Sequence, residues 1–433
     1  MSRFSSPTQA VVRECPDCGL FQNVPAMQRG EISECARCGK LLRRSRIDPV
    51  QRPLALSVAG LTLLAVAAFE PFMRLSVKGY AHASQLVTGP VELQQFGMPE
   101  LAIVVLATTL LVPIAKLAAT AWVLWGVHTG HPTRLMTHVF RIVAWLRPWA
   151  MVEVFLLGLF VAYTKLIDLA RIDVGIAVYA LGVLVVVMAA ADATMDDEAI
   201  WSRLVPLRPV KPIRFGARWT ARMLSCNNCA LVCDAGEPNC PRCGANVHAR
   251  KRHSRGRCWA LMVAAAILYI PANAYPVLTL IRLGRGEPST IVGGVGQLAD
   301  AGMWPLAILV FVASICVPVF KIVSLTVMLT SVHRRSASYL QTRTVLYRIV
   351  DIIGRWSMID VFMISILTAL VRLGFVAQVF PGIGVIAFCS VVILTMLAAA
   401  CFDPRLMWDA AAERATAPAA TTEPAPEPAM TSA

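Results

Sequence analysis

Eight of the thirteen cysteines fall into four C-x2-C pairs. Cys15-Pro-Asp-Cys18-Gly and Cys35-Ala-Arg-Cys38-Gly are separated by 16 residues, and Cys226-Asn-Asn-Cys229 and Cys240-Pro-Arg-Cys243-Gly by 10. Each such turn offers two thiolates to one ion, and two turns complete a tetrahedral all-sulfur site. Each quartet therefore predicts a zinc ribbon holding one structural Zn2+. The glycine after a knuckle's second cysteine permits the tight turn. A redox dithiol would need only two of these four thiols. Cys233 is an extra thiol inside the second ribbon, spare by default, although a swap with Cys226 or Cys229 stays open.

A second set of residues could do chemistry because of where it lies. Pro318 and Lys321 sit inside one long apolar run, and Asp360 sits inside the next. A lysine or aspartate near the centre of a spanning helix costs on the order of 3 kcal/mol. Each is the other's natural remedy, which predicts a shared polar site. Ser314 precedes Lys321 by seven residues, two helical turns, so both share one face of their helix. The same pattern occurs earlier in the chain. Thr109, Pro113 and Lys116 match Ser314, Pro318 and Lys321 at an offset of 205, and Glu153 matches Asp360 at 207. The offset of 205 also carries Cys35, Cys38 and Pro71 onto Cys240, Cys243 and Pro276. One unit, a cysteine module followed by four hydrophobic segments, reads as duplicated in parallel.

The positioning elements follow from composition. Apolar residues make up 57% of the 433 and charged residues 15%, which suits a polytopic membrane protein better than a soluble enzyme. Apolar segments long enough to span a bilayer are expected at about 54–73, 101–125, 148–167 and 174–192, then at 259–281, 303–330, 349–371 and 380–401. The net charge of +14 is unevenly spread: 31 Lys/Arg fall in the terminal segments, central linker and two loops, and seven in the other four loops, with Lys116 and Lys321 as the rest. That asymmetry puts both ribbons and both termini in the cytoplasm, where thiols stay reduced and metal binding is favoured. No cleavable signal is visible, and the first apolar run reads as an anchor that stays.

The connecting segments are less regular. The stretch from Arg74 to Glu100 predicts a small β-ribbon outside the membrane. His128, His131 and His138 read as solvated residues of a loop over 126–147. The linker 196–225 mixes Trp201, Phe215 and Trp219 with arginines and suits a membrane interface better than nucleic acid. Pro271 and Pro276 should kink their segment, with Asn273 serving freed backbone groups. The glycines of 282–300 suggest a mobile connection, and 410–433 a disordered tail. There is no P-loop, no H-E-x-x-H and no histidine in a spanning segment, so an internal ATPase, a zinc protease of that type and a haem oxidoreductase are unsupported. The fold class expected is an all-α polytopic membrane protein with eight transmembrane helices. They form two duplicated four-helix units, each preceded by a cytoplasmic zinc ribbon. The divisions are 1–52, 53–195, 196–258, 259–402 and a tail at 403–433.

Several stretches together resemble the paraquat-inducible protein A family of bacterial inner-membrane proteins. They are the paired ribbons, Ile270-Pro-Ala-Asn-Ala-Tyr-Pro276, Arg355-Trp-Ser-Met-Ile-Asp-Val-Phe362 and Phe402-Asp-Pro-Arg-Leu-Met-Trp-Asp409. The resemblance covers roughly 13–409. It implies eight helices with cytoplasmic termini, no enzymatic activity, and lipid trafficking between inner and outer membranes with an envelope-spanning partner of the mammalian-cell-entry (MCE) domain class. It marks Ser314, Lys321, Asp360 and Thr395 as a transport-site polar network in the second half. Thr109, Lys116 and Glu153 fit in the first half, but the position matching Thr395 is apolar, Val187 or Met188. A proton switch through Lys321 and Asp360 would suit a chain without an ATPase motif. The alternatives are a membrane anchor for the partner, without transport of its own, and a zinc or thiol stress sensor.

Overall fold

The computed structural model describes residues 11–416 apart from 29, 78–79, 167–170, 211–222, 235, 283–284, 301 and 372–376. The second half of the expected basic linker and most of the expected disordered tail therefore lie outside the described residues.

The chain opens with two β-hairpins, β1 (Val11–Glu14) with β2 (Phe21–Val24) and β3 (Ile32–Glu34) with β4 (Leu41–Arg44). The first membrane unit follows as α1 (Gln51–Phe69), β5 (Met73–Val77), β6 (Tyr80–Ser84), α2 (Thr88–Gln95), α3 (Pro99–Leu106), α4 (Val112–Thr129), α5 (Arg134–Leu146), α6 (Val152–Leu166), β7 (Arg171–Val174), α7 (Ile176–Thr194) and the short α8 (Asp197–Trp201). A third hairpin, β8 (Met223–Ser225) with β9 (Val232–Asp234), carries the second ribbon. The order seen from α1 to α8 is then met again. It runs α9 (Ser254–Ala274), β10 (Leu278–Arg282), β11 (Arg285–Ser289), α10 (Ile291–Asp300), α11 (Trp304–Phe311), α12 (Val317–His333), α13 (Leu340–Ile353), α14 (Ile359–Leu370), β12 (Ala377–Pro381), α15 (Gly384–Cys401) and α16 (Arg405–Thr416).

Among the described residues, seven helical segments are long and apolar enough to cross a membrane, namely 51–69, 99–129, 134–164, 176–194, 254–274, 304–333 and 384–401. The chain is a multi-pass membrane protein. The segment expected at 349–371 takes another form. It is split by a 3-10 turn, Gly354–Met358, and its apolar part is only the 12 residues of α14. That helix is about 18 Å long, short of the roughly 30 Å hydrocarbon layer. All of α14 is buried. It packs on α6 and α2 of the first unit and so forms the seam between the halves. In each half the first and last long helices pair, α1 with α7 and α9 with α15.

Pro113 and Pro318 explain a break shared by the two halves. A proline lacks the N–H that would bond the carbonyl four residues back and clashes with it. The helix answers with a single π turn just before each proline, Ala107–Leu111 and Val312–Cys316. Thr109 and Ser314 occupy these turns.

Other departures have local causes. The chain is not wholly helical outside the ribbons, because each unit carries a three-stranded sheet, β6-β5-β7 and β11-β10-β12. The expected β-ribbon after Arg74 gains a third strand from far along the chain, a pairing that local periodicity cannot reveal. Gly175 and Gly382 close these sheets: a Cβ there would lie 1.9 Å from the Pro71 carbonyl oxygen and 2.1 Å from that of Pro276. The expected loop 126–147 contains α5, which Thr133 caps by accepting from the Met136 N–H. His128 and His131 are exposed, and His138 rides half-buried on α5. Of the glycine-rich stretch 282–300, Gly284 lies outside the described residues, and 285–300 forms β11 and α10, held by Thr290 at the helix start and by buried Ile291 and Leu298. Residues 410–416, expected to be disordered, extend α16, whose Ala410 and Ala411 are buried. Asn273 does serve the backbone near Pro271, donating to the Tyr269 carbonyl at 2.9 Å.

Candidate functional site

The cysteine quartets come together as their spacing requires. Cys15 and Cys38 sulfurs are 3.5 Å apart, as are those of Cys18 and Cys35. In the second ribbon Cys226–Cys243 is 3.6 Å and Cys229–Cys240 is 3.5 Å. All four sulfurs of each set lie within 4.8 Å of one another and all eight cysteines are buried. A tetrahedral zinc with Zn–S near 2.3 Å needs S···S separations of about 3.8 Å, so both clusters could hold a metal ion. Cys233 stays outside the quartet, its thiol facing the Leu231 carbonyl at 3.7 Å. Three knuckles end in glycine at positive φ, Gly19, Gly39 and Gly244, whereas the fourth ends in Ala230 at φ 54°. Their N–H groups all reach back to the first cysteine's carbonyl, as Ala230 does to Cys226 at 2.9 Å.

The ribbons pack crosswise on the membrane units. Ribbon one precedes the first unit but docks on the second. Arg348 of α13 donates to Asp17 at 2.6 Å and to the Cys38 carbonyl at 3.1 Å. The Arg37 guanidinium stacks 4.9 Å over Trp408 of α16. Ribbon two packs on the first unit, its cysteines sharing a cluster with Val123, Phe140 and Trp201, and Arg141 of α5 donates to the Cys243 carbonyl at 3.3 Å. Two acids then clasp the ribbons together. Glu198 of α8 accepts from Arg13 of ribbon one and from Arg242 of ribbon two. Glu14 accepts from Arg405 at 3.0 Å, and Arg405 also reaches Asn227 at 3.0 Å. Burial alone would push the Asp403 carboxyl up, but hydrogen bonds and charge from Arg405, with two backbone N–H groups, hold it below the usual carboxylate range.

In the membrane, the second-half residues lie on elements that meet at the Gly354–Met358 turn, which packs against the π turn, α12 and α15. Lys321 is wholly buried (0% exposed), as are Ser314 and Thr395, and Asp360 is nearly so. The Lys321 ammonium donates to the Gly354 carbonyl at 3.4 Å, which ties the lysine to the turn that leads into α14. Ser314 donates to Val310 O at 2.6 Å and Thr395 to Val392 O at 2.9 Å, both within their own helices. Asp360 is the second residue of α14. A helix start carries N–H groups without intrahelical partners and a positive dipole end, which favour an acid in its first turn.

The first half is wired differently. The Lys116 ammonium meets the Asp192 carboxylate at 2.7 Å, the lysine 6% exposed and the aspartate 43%. Asp192 belongs to α7, whereas α15 carries no acid. Its charge near the end of an apolar run was the signal available in the sequence. Thr109 donates to Val105 O at 2.7 Å. Glu153, second in α6, accepts from Arg355 of the other half at 3.4 Å, so it is not Lys116's partner.

A family model described as "Paraquat-inducible protein A" matches residues 50–205 and 256–412. Intermembrane transport protein PqiA of Escherichia coli (strain K12) is 34% identical over 400 residues, which cover 91% of this chain and 95% of that protein. Lipophilic envelope-spanning tunnel protein A of the same strain is 29% identical over 402 residues, 92% of this chain and 91% of that one. A probable intermembrane transport protein of Haemophilus influenzae is 24% identical over 422 residues, 94% of this chain and 98% of its own. No solved structure matches the chain. With both membrane units covered by the match, the chain belongs to the paraquat-inducible protein A family.

Proposed function

We propose that this chain is the inner-membrane component of a lipid transport system. It loads or extracts lipid and exchanges it with an envelope-spanning partner of the MCE class. The transport names of its relatives support that reading. One observation carries the assignment of the site: Lys321, wholly buried in a spanning helix, bonds to a carbonyl at the break between α13 and α14. A charge so placed is costly where packing is the only purpose. Asp360 at the start of α14 and Lys321 beside the same turn can exchange a proton with water during transport. The change in charge alters how firmly α14 is held, while Ser314 and Thr395 offer hydroxyls to the site. Lys116, Glu153 and Thr109 serve the first half as packing residues. We take the halves to be copies of one ancestral unit. The composite of α13, its turn and α14 then forms an eighth crossing, with both termini in the cytoplasm.

Cys15, Cys18, Cys35 and Cys38 would hold one structural zinc, and Cys226, Cys229, Cys240 and Cys243 a second. Zinc here supplies cross-linking of the ribbon loops. The residues around it, Arg348 and Arg141 above all, fix the ribbons to the helices.

The test compares Lys321→Ala and Asp360→Asn with the parent in cells, measuring lipid distribution between the two membranes beside protein abundance. Altered distribution at normal abundance, with the partner still bound, is expected. Unchanged distribution at normal abundance would remove the transport role and leave a membrane anchor.

A further inference from the structure

A groove runs along α6 on the first unit, with a volume of about 590 Å³. Its wall is Leu156, Leu157, Phe160 and Tyr163 of α6; Met73 and Val174, cross-strand partners in the sheet, close one end. Glu153 and Trp356 stand at the other end. From Glu153 to Tyr163 the helix rises about 15 Å, half of the roughly 30 Å hydrocarbon layer. The groove thus matches one leaflet's depth of acyl chain. It opens on helices of a membrane-spanning segment, where the surrounding solvent is lipid tail.

The polar end of the groove is marked as headgroup level. Trp149 and Trp145 lie four and eight residues before Glu153, with ring centroids 6.5 Å apart, and Trp145 and Trp356 are exposed. Tryptophans gathered in this way sit at the membrane–water interface. Two cations accompany them. Arg147 is paired with Asp197, and among the described residues Arg355 makes one ionic contact, 3.4 Å, to Glu153. Arg355, bonded to the lining residue Glu153 and next in sequence to the lining residue Trp356, thus holds a partly exposed guanidinium beside the groove's polar end, and a guanidinium has five N–H donors. A phosphate at that end completes its shell by charge-assisted bonds. Of the groups that reach a membrane groove, an anionic head joined to an apolar chain fits both ends.

We propose that this groove is a lipid-binding site. It takes one acyl chain of a glycerophospholipid along α6, with the phosphate at Arg355. The inference deepens the transport reading by placing a substrate contact in the first unit, and it rests on that reading only for its purpose; binding itself is measured without transfer. The Glu153–Arg355 pair joins the two halves, so a phosphate that takes Arg355 from Glu153 would act at the seam beside α14.

The experiment uses the full chain in vesicles of phosphatidylethanolamine and phosphatidylglycerol, with a trace of phosphatidylglycerol carrying a diazirine on one chain. After irradiation, labelled peptides are mapped by mass spectrometry. Labelling of α6 residues 156–163 is expected to exceed that of the lipid-facing surface at Ile267 and Ile270 on α9 by at least threefold. Leu157→Trp, which fills the groove, should abolish the excess, and Arg355→Gln should reduce it for phosphatidylglycerol at least threefold. Equal labelling of α6 and the α9 face, or an excess that survives Leu157→Trp, overturns the proposal even where lipid transfer is normal. An excess in vesicles that vanishes in cell membranes also overturns it, because a protein segment then fills the groove.

Discussion

Replacing Lys321 with methionine should make the protein more stable and inactive. A buried ion pair broken on one side usually costs about 3–5 kcal/mol, because a charge is left uncompensated. Lys321 has a backbone acceptor at the α13–α14 turn. Its ammonium is wholly buried and its hydrogen bond, at 3.4 Å, goes to a backbone carbonyl. Removing the charge gives up that long bond, worth about 1.5–3 kcal/mol for a charged donor. It also removes a desolvation cost of several kcal/mol per ion. An apolar side chain of similar length keeps the packing, so a net gain of about 1–4 kcal/mol is expected. Lys116→Met should change stability by less, since its partner Asp192 is 43% exposed and can return to water. Heat-step fluorescence size exclusion of purified variants gives the ranking, and lipid distribution in cells gives activity. Lys321→Met that melts below the parent would show the lysine to be a packing ion. Normal lipid distribution in that variant would end its functional role.

Four other outcomes are expected. Asp192→Asn leaves Lys116 facing a neutral partner and should cost about 1–2 kcal/mol, between the exposed and buried limits; unchanged melting would show the pair to be idle. Ala230→Gly relieves a left-handed residue at φ 54° and should stabilise the second ribbon by about 0.5–1 kcal/mol, read as slower zinc loss to a chelator. Metal analysis should find about two zinc ions per chain, and Cys240→Ser should lower abundance and halve the metal. Asp403 is held low by Arg405, so its contribution is present above its ordinary value of 3.8 and lost as pH falls below that range. In Arg405→Met the burial of Asp403 is uncompensated, and protease sensitivity of the ribbons should begin at a higher pH than in the parent.

The eight clustered thiols were legible because a C-x2-C turn is a local object, fixed by four residues and a positive φ. The polar residues of the membrane helices were legible for a related reason: a charge in an apolar run stands out wherever it lies. Their partners were not. Lys116 pairs with Asp192, 76 positions away, and Glu153 with Arg355 of the other half. Such pairings are set by how helices stack, which a repeat at 205 residues does not encode. The repeat aligns Lys116 with Lys321 and Glu153 with Asp360 without saying which side chains meet. The segment at 349–371 is apolar for a second reason. Its apolarity comes from burial between two units and not from contact with lipid along its length. Hydropathy does not separate these two causes.

The crossing of the ribbons follows from short-range chemistry acting at long range. Chain order places ribbon one before α1, yet its acids Glu14 and Asp17 meet Arg405 and Arg348 of the second unit. Arg348 also contacts the Cys38 sulfur at 3.4 Å, so it touches the metal cluster directly. It lies six residues before Gly354, on the helix that ends at the Lys321 turn. The cysteine-quartet loop is thereby tied to the helix that delivers the Lys321 contact. Each ribbon braces the unit it does not precede, and Glu198 binds the two into one block on that face. Neither half can then move its membrane helices without loading the other half's ribbon. That mechanical link gives a physical reason for two cysteine quartets in a chain whose proposed transport chemistry lies within the membrane.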